Sequence, residues 1–178
     1  KAIEQVQGIS LKKKHDLLGK PTLNIGTIQG GTKVNIIPER CVIEVDRRML
    51  PSEKREEVLR KIKKALDSLQ SKDPDFQYRM EEMDFAEPSE ISSKEEIVKM
   101  GVEAVEEVRG EKPKIKGFSG FTDARFYINQ FDIPTLIFGP GGVGESHTTN
   151  ESVVVDALVH AAQIYGLILI NFLTRKGA

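Results

Sequence analysis

The stretch that decides the fold of this sequence reads Ile133-Pro134-Thr135-Leu136-Ile137-Phe138-Gly139-Pro140-Gly141-Gly142-Val143-Gly144-Glu145-Ser146-His147-Thr148-Thr149-Asn150-Glu151. Residues 135–138 form a short apolar run between a proline and a glycine, which predicts a buried strand. The next loop has four glycines, so its backbone can approach a ligand closely. His147 ends that loop, and an apolar helix pattern begins at Val153. This order is typical of α/β enzymes, which present functional groups at the carboxyl edge of a sheet, so His147 is the first candidate for the chemistry.

The composition is that of an ordinary soluble protein. Of the 178 residues, 39% are hydrophobic and 30% charged, which excludes a disordered or fibrous chain and allows one medium domain or two small ones. The formal net charge of −1 argues against nucleic acid as a partner. The single cysteine, Cys41, excludes an internal disulfide and favours a reducing, cytoplasmic location. No apolar run approaches the roughly 20 residues that cross a membrane, and residues 165–170 are predicted to form a buried helix face.

The first half of the chain predicts a small α+β domain. Turn-forming Gly30 and Gly31 separate two segments of strand composition, and a long amphipathic helix follows. The predicted strands cover residues 22–28, 34–49 and 76–80, and the predicted helices cover residues 1–9 and 51–73. This order favours an antiparallel sheet with helices on one face.

The second half alternates helix and strand after a predicted boundary at residues 87–89. Ser92 or Ser93 with Glu95 or Glu96 makes a capping box for a helix that Gly110 ends. Strands are predicted at residues 115–118 and 135–138, a helix after residue 122, and a last helix over residues 153–172. Alternation of this kind is typical of a mostly parallel sheet, so the second half is predicted to be an α/β segment.

Three signatures occur in order along the chain. They are Val34-Asn35-Ile36-Ile37-Pro38 followed by Val45-Asp46-Arg47-Arg48-Met49-Leu50-Pro51, then Gly120-Phe121-Thr122-Asp123-Ala124-Arg125-Phe126, then Phe138-Gly139-Pro140-Gly141 with Glu145-Ser146-His147-Thr148 and Glu151. At these separations they resemble the dizinc aminoacylase and carboxypeptidase family, of the acetylornithine deacetylase, succinyl-diaminopimelate desuccinylase and glutamate carboxypeptidase type. Each pattern alone is weak, but three in register across nearly the whole chain are specific.

The resemblance implies a two-domain zinc hydrolase. Residues 1–87 would be its α+β lid, which pairs with a second copy in a homodimer and lacks its first strand here. Residues 88–178 would be the C-terminal part of the α/β catalytic domain. The family's other metal ligands, its catalytic glutamate and its lid histidine would all lie upstream of Lys1, and His15 is not at a matching place. Since a hydrolytic zinc needs about three protein ligands and this chain offers one, the chain is expected to be inactive without that N-terminal catalytic segment.

The same resemblance implies roles for individual residues. His147 would bind one of two zinc ions, with cobalt or manganese as alternative metals. Arg48 would bind the terminal carboxylate of the substrate, and Asn35 would help to hold the oxygen of the reacting carbonyl. The backbone of Gly120, Thr122 and Gly141 would line the substrate-binding pocket.

Each of these residues also has a plainer interpretation. A lone histidine in a loop is usually structural or exposed, Arg48 can be a surface arginine, and Asn35 and the glycines can serve turns. Glu145 and Glu151 either orient His147 or are acids at a helix N-terminus, and these two interpretations stay open.

Two hypotheses follow. The first is a metal-dependent hydrolase in which a zinc-activated water cleaves the amide bond of an N-acyl amino acid or small peptide. The second is a non-catalytic α+β module over residues 22–85 that dimerises or binds an amino acid. The residues do not specify the acyl group.

Overall fold

The computed structural model describes residues 1–9, 11–141 and 148–175. The chain divides into two compact units, Lys1–Pro88 and Ser89–Ala178. The first unit contains α1 (Ala2–Gln7), β1 (Thr22–Gly30), β2 (Cys41–Arg48) and α2 (Arg55–Gln70), and the second contains α3 (Glu96–Arg109), α4 (Ala124–Phe131) and α5 (Val155–Arg175). The predicted mixture of helices with a small antiparallel sheet is confirmed.

Strands β1 and β2 pair as an antiparallel hairpin, with Gly30 opposite Cys41. The register shifts between Ile25 and Thr27, which is a bulge at Gly26. Because side chains alternate along a strand, the extra residue brings Ile28 opposite Ile43 on the apolar face. The turn predicted at Gly30 and Gly31 is wrong, because Gly30 is the last residue of β1 and the turn of the connection lies at residues 33–36. Gly31, which follows the strand, has φ +80, a conformation that glycine adopts without strain. The second strand begins seven residues later than predicted, because residues 33–36 form a turn and a proline follows.

The core of the first unit lies between α1, α2 and the hairpin. The amphipathic stripe predicted for α2 is confirmed, since its apolar side chains face this core. Helix α2 begins at Arg55, four residues after the predicted start, and no side chain caps it. The buried apolar residues of this unit are Val6, Leu50, Val58, Leu66 and Leu69.

The strand predicted at residues 76–80 is wrong. The segment forms no strand pairing in the part of the chain that the structure describes. A strand needs a neighbour for its backbone N–H and C=O groups, and this segment instead binds α2 through side chains. The hydroxyl of Tyr78 donates to the carboxylate of Asp67 in α2, and Arg55 of α2 donates to Glu82 just after the segment.

In the second unit α3 packs against α5 around Ala104, Val105 and Ile164. Helix α3 ends at Gly110 as predicted: the residue has φ +70, and its N–H donates to the carbonyl of Glu106 at 2.8 Å. The capping box predicted at its other end is wrong, because the helix begins at Glu96 and no side chain caps it.

The strands predicted at residues 115–118 and 135–138 are also wrong, so the described residues of this unit contain no parallel sheet. A parallel strand is buried on both faces by its neighbours and crossover helices. Here Ile115, Phe118 and Ile137 are each more than two-fifths exposed, which is not the burial of a central parallel strand.

Helix α5 corrects two predictions. Residues 165–170 do not form a buried face, because Tyr165, Leu169 and Ile170 are at least half exposed. The helix is also the one described element long and apolar enough to cross a membrane, with a mean hydropathy of 1.6 and 11% of its most apolar window buried. A single such helix is weak evidence for a membrane span, since core helices of soluble proteins have the same length and composition.

Candidate functional site

Arg48 lies at the last position of β2, on the polar face of the hairpin. Its Nε donates to Asp46 Oδ2 at 2.8 Å, and both side chains are half exposed. Residues two apart in a strand share a face, so the pair stands side by side. The two Nη nitrogens of Arg48 have no partner among the described residues. A planar guanidinium in this state can receive a carboxylate through two parallel hydrogen bonds.

The neighbouring Arg47 points to the opposite face of the hairpin and forms an ion pair with Glu53. Its Nη2 lies 2.7 Å from Glu53 Oε1, and the two side chains are only 11% and 5% exposed. Glu53 also accepts a hydrogen bond from the backbone N–H of Leu50 at 3.0 Å. Strand alternation therefore separates a structural arginine from one that is accessible to a ligand.

Asn35 lies in the connection between β1 and β2. The N–H of Ile36 donates to the carbonyl of Lys33 at 3.2 Å, which makes Asn35 the third residue of a four-residue turn. Its side chain is exposed and has no hydrogen-bond partner in the described ranges. Val34 and Ile37 beside it are almost fully exposed. The connection therefore presents one amide between apolar side chains.

Gly120 and Thr122 precede α4. A Cβ at Gly120 would overlap the ring of Phe118, so a larger residue at this position would displace that ring. Asp123 occupies the N-cap position of α4, but its side chain makes no capping hydrogen bond. The first turn of α4 is thus free of side-chain caps, and N–H groups in such a turn favour anionic groups.

A stacked arginine next to this turn was not predicted from the sequence. The Arg125 guanidinium carbon lies 4.1 Å from the ring centroid of Phe121 and 4.2 Å from that of Phe126, and Nη1 donates to the carbonyl of Thr122 at 3.2 Å. The spacing of Phe121 and Arg125, four residues apart at a helix start, is the signal that could have indicated the contact.

The glycine-rich loop is described only in part. Gly141 has φ +95, a conformation that favours glycine. Gly142, Glu145 and His147 lie outside the described residues. The proposed metal ligand and one of its two candidate partners are therefore predictions without a structural description.

The site residues fall in both units. Asn35 and Arg48 belong to the first unit, at different parts of the hairpin, and Gly120, Thr122 and Gly141 belong to the second. Within residues 1–9, 11–141 and 148–175 no group of three or more histidine, cysteine, aspartate or glutamate side chains could hold a metal ion. The described residues thus include groups that can bind a carboxylate, but they do not include a cluster of metal ligands.

The chain is similar to a known domain and to several known proteins. Residues 1–74 match the peptidase dimerisation domain of the M20 family. The acetylornithine deacetylase of Myxococcus xanthus is 26% identical over 151 residues, which are 85% of this chain and 38% of that protein. The succinyl-diaminopimelate desuccinylase of Hydrogenovibrio crunogenus is 28% identical over 162 residues, or 90% of this chain and 41% of that protein. The chain thus spans about two-fifths of the length of these relatives.

The fold has a counterpart among solved structures. An M20 family metallo-carboxypeptidase from Sulfolobus solfataricus superposes with a TM-score of 0.69 at 21% sequence identity, over 94% of this chain and 40% of that one. At this identity the likeness shows the fold. Residues 1–74 thus match the M20 dimerisation domain, and the chain as a whole is similar in sequence to the named deacetylase and desuccinylase and similar in fold to the metallo-carboxypeptidase.

Proposed function

We propose that this chain is the lid and C-terminal portion of a metal-dependent amidohydrolase that removes the acyl group from an N-acyl amino acid or cleaves a small peptide. The relatives named as a deacetylase and a desuccinylase support a reaction at an amide bond. The observation that carries the proposal for this chain is Arg48, a half-exposed arginine with both Nη nitrogens unpaired in the described structure, beside an Arg47 that is buried in an ion pair.

In this proposal Arg48 binds the carboxylate of the substrate, since its planar fork matches two carboxylate oxygens. Asn35 donates its side-chain N–H to the oxygen of the reacting carbonyl as negative charge develops there. Gly120, Thr122 and Gly141 line the pocket, and their backbones can come close to the substrate.

The metal is zinc in this proposal, with cobalt or manganese as alternatives. His147 would supply one ligand, and the remaining ligands would come from an N-terminal catalytic segment outside this chain. When bound, the metal would lower the pKa of a water so that it attacks at neutral pH. Because one imidazole cannot hold zinc tightly, the 178-residue chain is expected to be inactive alone.

The chain is proposed to assemble as a homodimer through the lid at residues 1–87, with residues 88–178 returning to the catalytic domain. The match of residues 1–74 to a dimerisation domain supports this assembly. A cytoplasmic location is proposed, consistent with the single exposed cysteine.

The test uses the protein that includes the sequence encoded upstream of Lys1. It is assayed with N-acetylornithine, N-succinyl-diaminopimelate and C-terminal dipeptides, with zinc and after chelation. Hydrolysis of one substrate that depends on zinc supports the proposal, and its loss in a His147→Ala variant supports the ligand. Absence of hydrolysis of every substrate with zinc present contradicts the proposal.

Arg48→Met is expected to raise KM more than it lowers kcat, and to reduce kcat/KM about 10- to 100-fold, because a charge-assisted hydrogen-bond pair is lost. The matched control is Arg60→Met, since Arg60 is an exposed arginine of α2 that makes no described contact. An Arg48→Met enzyme with an unchanged KM contradicts the assigned role.

A non-catalytic assembly module is the second candidate, favoured by the match to a dimerisation domain. It predicts a folded dimer whose stability does not respond to zinc and to which His147 is irrelevant. A His-x-Asp motif upstream of Lys1 would favour the hydrolase, and its absence would favour the module.

A further inference from the structure

The guanidinium of Arg125 contacts two aromatic rings. Its carbon lies 4.1 Å from the ring centroid of Phe121 and 4.2 Å from that of Phe126. The edge of the same group donates from Nη1 to the carbonyl of Thr122 at 3.2 Å. A planar guanidinium can stack on aromatic rings and donate in its own plane at the same time, which an ammonium cannot. One side chain therefore contacts three positions of the turn and first helical turn.

The charge of Arg125 is not used in an ion pair with any described residue. Its ring contacts and hydrogen bond among the described residues are local, within four residues along the chain. The arrangement therefore ties the turn before α4 to the helix itself.

The turn needs such a restraint. Helix α4 begins without a side-chain cap, so no side chain at its N-cap position holds the turn that precedes it. In a trans peptide the carbonyl of one residue and the N–H of the next point in opposite directions. The hydrogen bond from Arg125 to the Thr122 carbonyl therefore also fixes the direction of the Asp123 N–H.

We propose that Arg125 is a positioning residue that holds the turn at residues 120–123 in the orientation in which it receives the substrate. The inference rests on the proposed function, in which Gly120 and Thr122 line the substrate-binding pocket. Arg125 itself acts through the backbone of the turn and not through contact with the substrate.

The first experiment measures hydrogen exchange of the 178-residue chain by mass spectrometry, in peptides covering residues 122–131. Arg125→Met removes the stack and the hydrogen bond, and exchange in these peptides should rise about tenfold, because exchange reports local opening. Phe121→Leu removes one aromatic face and should give an intermediate rise. Arg109→Met is the matched control, an exposed arginine that pairs with Glu111 at 3.1 Å, and should change nothing in these peptides.

Hydrogen exchange in α3 distinguishes local opening of the turn from unfolding of the whole second unit. Exchange over Glu96–Arg109 should stay the same in all the Arg125 and Phe121 variants. An Arg125→Met chain with unchanged exchange at residues 122–131 overturns the inference. So does a rise that spreads equally to α3, because Arg125 would then support the whole unit.

The second experiment measures kinetics of the protein that includes the upstream sequence. Misplacing a binding turn should lower kcat up to about 100-fold with less effect on KM. Arg125→Lys keeps the charge but loses the planar faces, so it should restore only part of kcat. A raised KM with normal kcat, fully restored by lysine, would mean that Arg125 binds the substrate directly and would overturn the positioning role. If neither the parent nor any variant hydrolyses a substrate, the proposed function fails. The exchange result on the 178-residue chain then still shows whether Arg125 holds the turn at residues 120–123.

Discussion

Arg47 and Glu53 form an ion pair that joins the end of β2 to the segment leading into α2. The Arg47 Nη2 and Glu53 Oε1 atoms are 2.7 Å apart, and the side chains are 11% and 5% exposed. The second carboxylate oxygen of Glu53 accepts the N–H of Leu50 at 3.0 Å, and Leu50 is itself buried. The carboxylate of Glu53 thus pairs with the charge of Arg47 and also accepts the hydrogen bond of the Leu50 N–H.

Removing this carboxylate should destabilise the protein. Glu53→Ala leaves the Arg47 charge in a poorly solvated position and the Leu50 N–H without its acceptor, so the free energy of unfolding should fall by about 3 kcal/mol. Urea denaturation followed by circular dichroism measures the change. An apolar double replacement, Arg47→Met with Glu53→Leu, should recover part of the loss because no charge stays unpaired.

The control for that measurement is Glu111→Ala, which breaks the exposed pair with Arg109. Exposed ion pairs contribute little, so the midpoint of unfolding should not move measurably. Equal losses for Glu53→Ala and Glu111→Ala would contradict the role assigned to the Arg47–Glu53 pair.

Tyr78 should titrate abnormally. Its hydroxyl donates to the carboxylate of Asp67, and this hydrogen bond, followed by partial desolvation and the negative charge of Asp67, raises the pKa of Tyr78 above its ordinary value of 10.0. The raised pKa means that the bond stabilises the fold below pH 10 and that this contribution is lost as the pH rises through the pKa of folded Tyr78. The difference in ultraviolet absorbance titration between the parent chain and Tyr78→Phe isolates this pKa. Asp67→Asn should return it towards 10.0, and a parent value of 10.0 or below would contradict the bond.

Arg55 should hold the segment after residue 78 against α2. Its Nε and Nη2 donate to Glu82 at 2.8 and 2.5 Å, and its guanidinium carbon lies 5.1 Å from the ring centroid of Phe85. The hydrogen bond from Arg55 is the largest cause that lowers the pKa of Glu82 below its ordinary value of 4.5. The pair therefore holds above that value and is lost as the pH falls through the lowered pKa of Glu82.

Arg55→Met should move the pKa of Glu82 back up, which carboxyl chemical shifts in an NMR titration measure. At neutral pH it should also speed cleavage after Glu81 and Glu87 by a glutamate-specific protease, because the segment loses its contacts with α2. Arg60→Met on the same helix is the control. If the two variants are cleaved at the same rate, the segment is held by something other than Arg55.

The helices could be predicted from the sequence because their signals are local. The stripe of α2 and the left-handed Gly110 that ends α3 depend on residues within a few positions of one another. Alternation or short apolar runs also predicted strands at residues 76–80, 115–118 and 135–138. A strand, however, forms only where a second strand pairs with it, and that partner cannot be read from a local pattern. The described chain provides a partner only for β1 and β2.

The candidate site divides in the same way. The resemblance indicated Arg48, but it could not show that Arg47, its neighbour of identical type, is the one whose side chain is largely buried in an ion pair. That difference depends on which face of β2 packs against the core, and the bulge at Gly26 helps to set the facing residues. The stacking of Arg125 was missed because it needs the turn geometry before α4 as well as the spacing.

Gly101 in α3 should be essential for packing in the second unit. A Cβ built on Gly101 would lie 2.5 Å from Leu136 Cδ2, and Gly101 is buried. Gly101→Val adds two more methyl groups there and should lower the free energy of unfolding by about 1–3 kcal/mol, because Leu136 must leave its position. Gly166→Val in α5 is a matched control, since a Cβ there meets nothing within 4 Å and the helix-propensity change is the same. Its free energy of unfolding should stay within about 0.5 kcal/mol of the parent. Urea denaturation of both variants gives the comparison, and a Gly101→Val chain as stable as Gly166→Val would mean that α3 and the segment at residues 135–138 do not pack as described.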